Sequence, residues 1–386
     1  VKPHSTSVYL LIGAVLALIT LGLVMMSSTS AFAPESHGDA MFLLKRQVVW
    51  LGVGLLLGAI ASMVDYHHLH RFSWIAYVLA AILLLLCFVP HIGHSHYGAK
   101  RWIKLGMSFQ PSEFAKLAAV SVIAWFLSHK SLPSRPFFYG FFAPLLAAGI
   151  LMALIAAEVD LGTTALIGGT TLLLLFIAGT RLRYLVPTVL LGVTLLGGVI
   201  WKMPERSGRF LAFLYPEKYV ADAYQAEQGL IALGSGGMEG LGLGNGRQKM
   251  LYLPFAHTDF IFPVMGEELG LRCTLAVVAI FLTFILAGSY IAVKARDRFG
   301  LLLGVGVTFL IGLQAVVNIG VTTAVLPNKG MPMPFISYGG TNLVFCLIGV
   351  GILVNIYKQG INERDEKRAL STLSAYTKKG RRIIRL

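Results

Sequence analysis

Charge is what this chain has least of. Asp, Glu, Lys and Arg make up 13% of its residues, where a soluble globular chain carries about 25%. That deficit excludes an ordinary water-soluble domain, and a hydrophobic content of 56% excludes a disordered one. Cysteine is also nearly missing. Cys87, Cys273 and Cys346 each sit inside or beside an apolar run. An odd number, with no Cys-x-x-Cys, argues against a disulfide framework and against the common zinc motifs. Neither G-x-G-x-x-G nor a Walker lysine motif occurs, so no nucleotide is expected. Internal repeats strong enough to suggest an inverted-repeat transporter are missing too.

Long apolar runs, by contrast, are plentiful. Mean hydropathy is +0.74, and stretches near the roughly 20 residues that cross a bilayer recur along the chain. The expected fold is all-α, a polytopic membrane protein with about ten transmembrane helices and one large extracytoplasmic loop. Candidate spans run over 8–28, 48–64, 72–89, 112–128, 141–157, 161–178, 184–201, 260–293, 301–325 and 343–356. The first is too long for the apolar core of a signal peptide and is followed by more spans. The eighth is too long for one straight crossing, so its first turns are expected to tilt or to lie in the outer interface. Residues 1–357 then form one membrane domain, with 202–259 as the large outer loop, and 358–386 form a basic tail.

Orientation follows from Lys and Arg. With the N-terminus inside, the inner segments collect Lys2, Arg71, Lys130, Arg135, Arg181, Arg183, Lys294, Arg296, Arg298 and nine basic residues after Ile356, 18 of the 32 in the chain. Both termini are therefore expected in the cytoplasm and the large loop outside. The net charge of +14 points to an anionic partner such as membrane lipid, with no nucleic acid expected. The tail, ending KKGRRIIRL, suits anionic lipid at roughly 1 kcal/mol per basic residue.

Between the apolar runs lies one long polar stretch, 224–270, rich in glycine up to Gly246 and followed by Arg247, Lys249, the run His257-Thr258-Asp259, and then Glu267 and Glu268. A connection this long, with Leu, Tyr, Phe and Pro in it, reads as a working surface. Its glycines would let backbone approach a ligand or let the loop move. Asp259 stands at the mouth of the eighth span. It is either a helix cap or a group kept there for chemistry, because a carboxylate at that depth must be solvated, paired or used. Glu113 and Lys116 lie three apart in the fourth span, as a structural ion pair or as a pair facing a substrate phosphate. Arg101 and Lys104 flank Trp102 as a basic, aromatic rim. Glu158 and Asp160 place two acids at the outer turn before Gly162, and Lys329 adds a cation in the Pro- and Gly-broken stretch 327–340. The histidines at 67, 68 and 70, and at 91, 94 and 96, have a spacing that could ligate zinc, but no carboxylate or cysteine completes a set. They read as interfacial loop residues.

The segments GAKRWI, FQPSEFAK, EVDLGTT, YQAEQGLIALGSGG, GLGNGRQKMLYLPFAHTDFIFPVMGEELG and LPNKGMPMPFISYGGTNL together resemble the SEDS family, the shape, elongation, division and sporulation proteins. The match runs in family order over nearly the whole chain. GLGNGRQKMLYLP and the stretch from Lys329 to Gly340 look closer to the cell-division branch than to the elongation branch. The histidine-rich HIGHSHY before GAKRWI departs from the shorter neutral run of relatives. The resemblance implies a ten-helix peptidoglycan glycosyltransferase that polymerises lipid II on the outer face of the cytoplasmic membrane. It implies a class B penicillin-binding transpeptidase and other division or elongation proteins as partners. It places the essential aspartate at Asp259 and further substrate-binding positions at Arg101, Glu113, Lys116, Asp160 and Lys329. The chemistry of a lipid diphosphate needs a base on the acceptor hydroxyl and cations on the departing group. A divalent cation, Mg²⁺ or Mn²⁺, would suit the same diphosphate. The rival reading is a lipid II flippase.

Overall fold

The computed structural model describes residues 3–32, 39–96, 99–105, 107–129 and 137–383. In a bilayer each backbone N–H and C=O must be satisfied within its own segment, which a helix achieves. The apolar runs are helical accordingly: α1 (Pro3–Thr29), α2 (Phe42–Met63), α3 (Tyr66–Leu86), α4 (Pro111–Ser128), α5 (Ala143–Ala157, entered through a π-helical turn at Phe138–Phe142), α6 (Leu161–Ile177) and α7 (Leu182–Lys202). After α8 (Pro204–Leu214) and α9 (Val220–Ser235) come α10 (Ile261–Val293), α11 (Arg298–Thr322) and α12 (Gly340–Ile383). Among the described residues eight helices are long and apolar enough to cross a membrane. The apolar α6 is shorter, and α4 carries Glu113 and Lys116 within its length. Both of these helices coincide with spans expected from the sequence. The chain is an all-α, multi-pass membrane protein.

Three features differ from the sequence expectation. First, the 202–259 connection is not one irregular loop. It holds α8 and α9, and α9 runs through the Gln225–Gly229 motif, with Gly229 and Gly234 inside the helix and Gly236 at its C-cap. Secondly, the segment around Arg101 forms a small antiparallel sheet of β1 (Gly93–His96), β2 (Ala99–Leu105) and β3 (Met107–Phe109), in that order. The side chains of His94, His96 and Lys104, the basic loop at 130–136 and the side chains of 362–386 lie outside the described residues. Thirdly, α12 continues past Tyr357 as one helix.

The length of α10 has a physical explanation. As a straight helix its 33 residues would span about 50 Å, against a hydrocarbon core of about 30 Å. It breaks instead at Gly270, which adopts φ 76° and ψ 179°, a conformation open to glycine alone at low cost. The break frees backbone groups on both sides, and the glycine-rich loop takes them up. Leu241 and Gly242 donate to the carbonyls of Glu267 and Glu268 at 2.9 and 3.0 Å, and Leu271 donates to the Gly237 carbonyl at 2.9 Å. Gly240 permits this pairing: a Cβ there would lie 2.2 Å from the Glu268 carbonyl oxygen.

Side chains lock the same loop. Glu267 accepts from the N–H groups of Arg247 (2.8 Å) and Gln248 (3.2 and 3.3 Å). Glu268 pairs with Lys249 at 2.5 Å and accepts from Ser28 of α1 at 2.8 Å, and Lys249 also donates to the Gly244 carbonyl. The loop expected to approach a ligand or to move is thus clamped onto the broken helix.

Candidate functional site

Asp259 sits in the last turn before α10, part-buried. The helix takes Phe260 as its N-cap, with no side-chain cap, so Asp259 does not do the capping job that its position suggested. Among the described residues no hydrogen bond or ion pair engages its carboxylate. Its backbone, in contrast, is held firmly. The Asp259 carbonyl accepts from Asn318 Nδ2 at 2.8 Å, and the same amide donates to the Met331 carbonyl at 2.6 Å. Ser337 donates through Oγ to the Thr258 carbonyl at 2.5 Å, and Tyr338 N–H donates to the His257 carbonyl at 3.0 Å. Gly330 lies directly against the carboxylate: a Cβ there would stand 2.6 Å from Asp259 Oδ2.

Lys329 arrives on the same 327–334 strip. Gln225 of α9 ties that strip to the Asp259 turn by accepting from Asn328 (2.9 Å) and donating to the Pro254 carbonyl (3.0 Å). The Lys329 side chain crosses Gly162, where a Cβ would meet its Cε at 2.9 Å. Burial lowers the Lys329 ammonium to about 8, with Asp160 acting to raise it and Arg206 and Arg101 acting to lower it further.

Asp160 caps α6. Its carboxylate accepts from Thr163 N–H (3.2 Å) and Thr163 Oγ1 (2.9 Å). Burial would raise its pKa, but Arg101, the Thr163 bonds and Lys329 outweigh that and hold it below the usual carboxylate range. Arg101 donates to the carbonyls of Glu158 (3.3 Å) and Val159. Val159 is at φ 65°, a strained position for a β-branched residue, and Arg101 braces that turn. Glu158 points the other way. It is buried beside Cys87 with neither oxygen hydrogen-bonded among the described residues, and burial pushes it up to about 8 against the opposing pull of Cys87 and Arg101.

Burial likewise raises Asp259, to about 7. Arg101 and Arg209 pull it down and Asp160 pushes it up. These groups are close enough to influence one another, so Asp259, Asp160, Arg101 and Lys329 share one end of the bundle. Glu113 and Lys116 lie deeper. They pair at 2.8 Å with both side chains 5% exposed, Lys116 donates to Gln314 Oε1 at 2.8 Å, and Asn342 donates to Glu113 at 2.9 Å. Gln314 in turn donates to the Pro332 carbonyl at 2.8 Å. Through this chain the pair reaches the strip that carries Lys329.

The cell cycle protein family of FtsW, RodA and SpoVE matches residues 9–361. The chain belongs to that family. It is 41% identical to the probable peptidoglycan glycosyltransferase FtsW of Geobacter metallireducens, covering 88% of this chain and 92% of that protein. It is 37% identical to the stage V sporulation protein E of Bacillus subtilis, over 90% and 96% of the two chains. Among solved structures it resembles a chain of a peptidoglycan synthase complex that coordinates polymerization and crosslinking, with a TM-score of 0.75, 26% identity and coverage of 91% and 97%. The rod shape determining protein RodA of Thermus thermophilus aligns with a TM-score of 0.67, 26% identity and coverage of 90% and 95%.

In this FtsW/RodA/SpoVE protein, sequence reasoning missed four side chains that build the site. Gln314 and Asn318 stand four apart on one face of α11 and collect the carbonyls of Pro332, Met331 and Asp259. Their signal was two amides inside an otherwise apolar run. Arg206 and Arg209 come from α8, three apart and so on one helix face; in the sequence their segment reads only as part of the large outer loop. No group of three or more His, Cys, Asp or Glu that could hold a metal occurs among the described residues.

Proposed function

We propose that this chain is a peptidoglycan glycosyltransferase that polymerises lipid II on the outer face of the cytoplasmic membrane, with Asp259 as general base. The observation that carries this reading is the Asp259 carboxylate itself. It is released from capping, part-buried, held through its backbone by Asn318 and set beside cations at one end of the bundle. In the proposed step Asp259 takes the proton of the acceptor hydroxyl, the 4-hydroxyl of a GlcNAc unit. That oxygen bonds to the anomeric carbon of the donor, and the bond from this carbon to the diphosphate breaks, the diphosphate leaving with the electron pair. Cations placed where that charge develops lower the barrier.

The roles of the other residues follow from their bonds. Arg101 and Asp160 set the turn beneath the site, Lys329 faces the diphosphate, and Glu113 and Lys116 hold the Lys329 strip from below. A divalent cation, Mg²⁺ or Mn²⁺, would supply positive charge to the departing diphosphate. The placement of Lys and Arg supports cytoplasmic termini and an extracytoplasmic site. The names of the relatives support a role in cell division, and the likeness to a synthase complex supports a class B penicillin-binding transpeptidase as partner.

The proposal fixes a pH profile. Asp259 must be ionised and Lys329 protonated, so kcat/KM is expected to rise through about 7 and to fall above about 8. Lys329→Arg should move the descending limb to higher pH, because a guanidinium does not lose its proton in that range. A profile flat from about pH 6 to 9 would contradict both assignments.

A further inference from the structure

The Asp259 carboxylate carries no bond of its own, so whatever fixes its place acts from around it. Among the described residues one side chain bonds to Asp259. Asn318 donates from Nδ2 to the Asp259 carbonyl at 2.8 Å and from the same nitrogen to the Met331 carbonyl at 2.6 Å. A single amide thus ties the root of the carboxylate to the residue that follows Gly330. The tie has a cost. Asn318 is 2% exposed within the membrane-spanning α11, and its Oδ1 has no partner among the described residues. An unpaired buried oxygen lowers stability, and a leucine of similar size would avoid it. What the amide supplies is its two donors.

Gly330 acts through what it lacks. A Cβ at this position would stand 2.6 Å from Asp259 Oδ2, nearer than a methyl carbon and an oxygen can pack. The φ of Gly330 lies outside the left-handed region, so the backbone itself does not demand glycine here. The strip is also pinned on both sides. Asn328 is bonded to Gln225 before Gly330, and the carbonyls of Met331 and Pro332 are bonded to Asn318 and Gln314 after it. With the strip held, the unbonded carboxylate is the group that an added methyl would displace.

We propose that Asn318 and Gly330 are positioning residues for Asp259. Asn318 sets the Asp259 turn against the Lys329 strip, and the bare edge of Gly330 leaves the space in which the carboxylate stands to meet the acceptor hydroxyl. The inference rests on the glycosyltransferase reading, in which Asp259 is the base.

The test is lipid II polymerisation by the full chain in detergent with a class B penicillin-binding transpeptidase, with kcat, KM and melting temperature measured together. Gly330→Ala should lose about 10- to 100-fold in kcat, as for a reacting group displaced by about 1 Å. Its KM should stay within about twofold of wild type, because substrate binding is untouched. Its melting temperature should be equal or higher, since alanine in an allowed conformation restricts the unfolded chain. Gly339→Ala, on the same stretch, is the control: a Cβ there meets nothing nearer than 3.6 Å, and turnover should match wild type. Asn318→Leu should also lower kcat by about tenfold or more with KM kept. In that background the strip can yield, so adding Gly330→Ala should cost less than it does alone.

Full activity in Gly330→Ala overturns the inference. So does a loss carried by KM, which would set Gly330 against substrate, and so does a loss matched by a fall in melting temperature. Should Gly330→Ala fail to fold, the split of kcat against KM in Asn318→Leu decides. Wild-type chain that makes no glycan defeats the polymerase reading and this inference together. An active wild type with an equally active Gly330→Ala defeats the inference alone.

Discussion

Asp259→Asn is expected to abolish glycan synthesis, with a loss of about 10²–10⁴-fold, the range for removing a general base. Asparagine keeps the size of the side chain, and the bonds to this turn run through backbone carbonyls, so folding and partner binding should persist. Stability should move in the opposite direction to activity. The folded chain raises the Asp259 pKa to about 7 by burial, whereas in the unfolded chain it is near 3.9. Between those values the unfolded state gives up a proton that the folded state keeps. The native state therefore loses stability as pH rises through that window, and above it bears the full cost of a buried charge. Asn removes that cost, so the variant should melt higher than wild type at pH 8 and about equally at pH 4. Normal polymerisation by purified Asp259→Asn would remove Asp259 from the chemistry.

Lys116→Met should cost about 3–5 kcal/mol, because it leaves Glu113 as an uncompensated buried charge. Adding Glu113→Leu should restore part of that stability, since the second charge goes too. The recovery is incomplete, because Asn342 and Gln314 each lose a partner and a buried unpaired amide costs about 1–3 kcal/mol. Activity should not recover with stability. Gln314 loses the donor that orients it toward the Pro332 carbonyl, the Lys329 strip loosens, and turnover should stay at least about tenfold below wild type, a cost typical of small misplacements. Thermal melting and polymerisation measured on the same double variant check this. A folded double variant with full activity would leave the pair with a structural role only.

Much of this molecule is legible without coordinates, for a physical reason. A bilayer penalises every polar group that lacks a purpose, so Glu113, Lys116, Asp160, Asp259 and Lys329 stand out against apolar surroundings. The helices were readable for the same reason. What could not be read is which distant backbone each side chain serves. Arg101 braces a turn 57 residues away, and Lys249 finds Glu268 across the broken helix. The glycine loop looked open because it lacks periodicity. Its backbone is in fact paired with the groups that the Gly270 break set free, and nothing local to the loop reveals that. The arginines of α8 were hidden by length, since an eleven-residue helix that starts at Pro204 does not stand out within a long polar connection.

Glycan synthesis in detergent tests the central claim most directly. Purified chain would be combined with a class B penicillin-binding transpeptidase, Mg²⁺ or Mn²⁺ and lipid II, and the products separated by length. Detergent removes the distinction between the two membrane faces, so a protein that only moves lipid II across a bilayer yields no polymer. The account predicts glycan strands from the wild type and none from Asp259→Asn. No polymer from the wild type, together with lipid II translocation in sealed vesicles that survives Asp259→Asn, would contradict it.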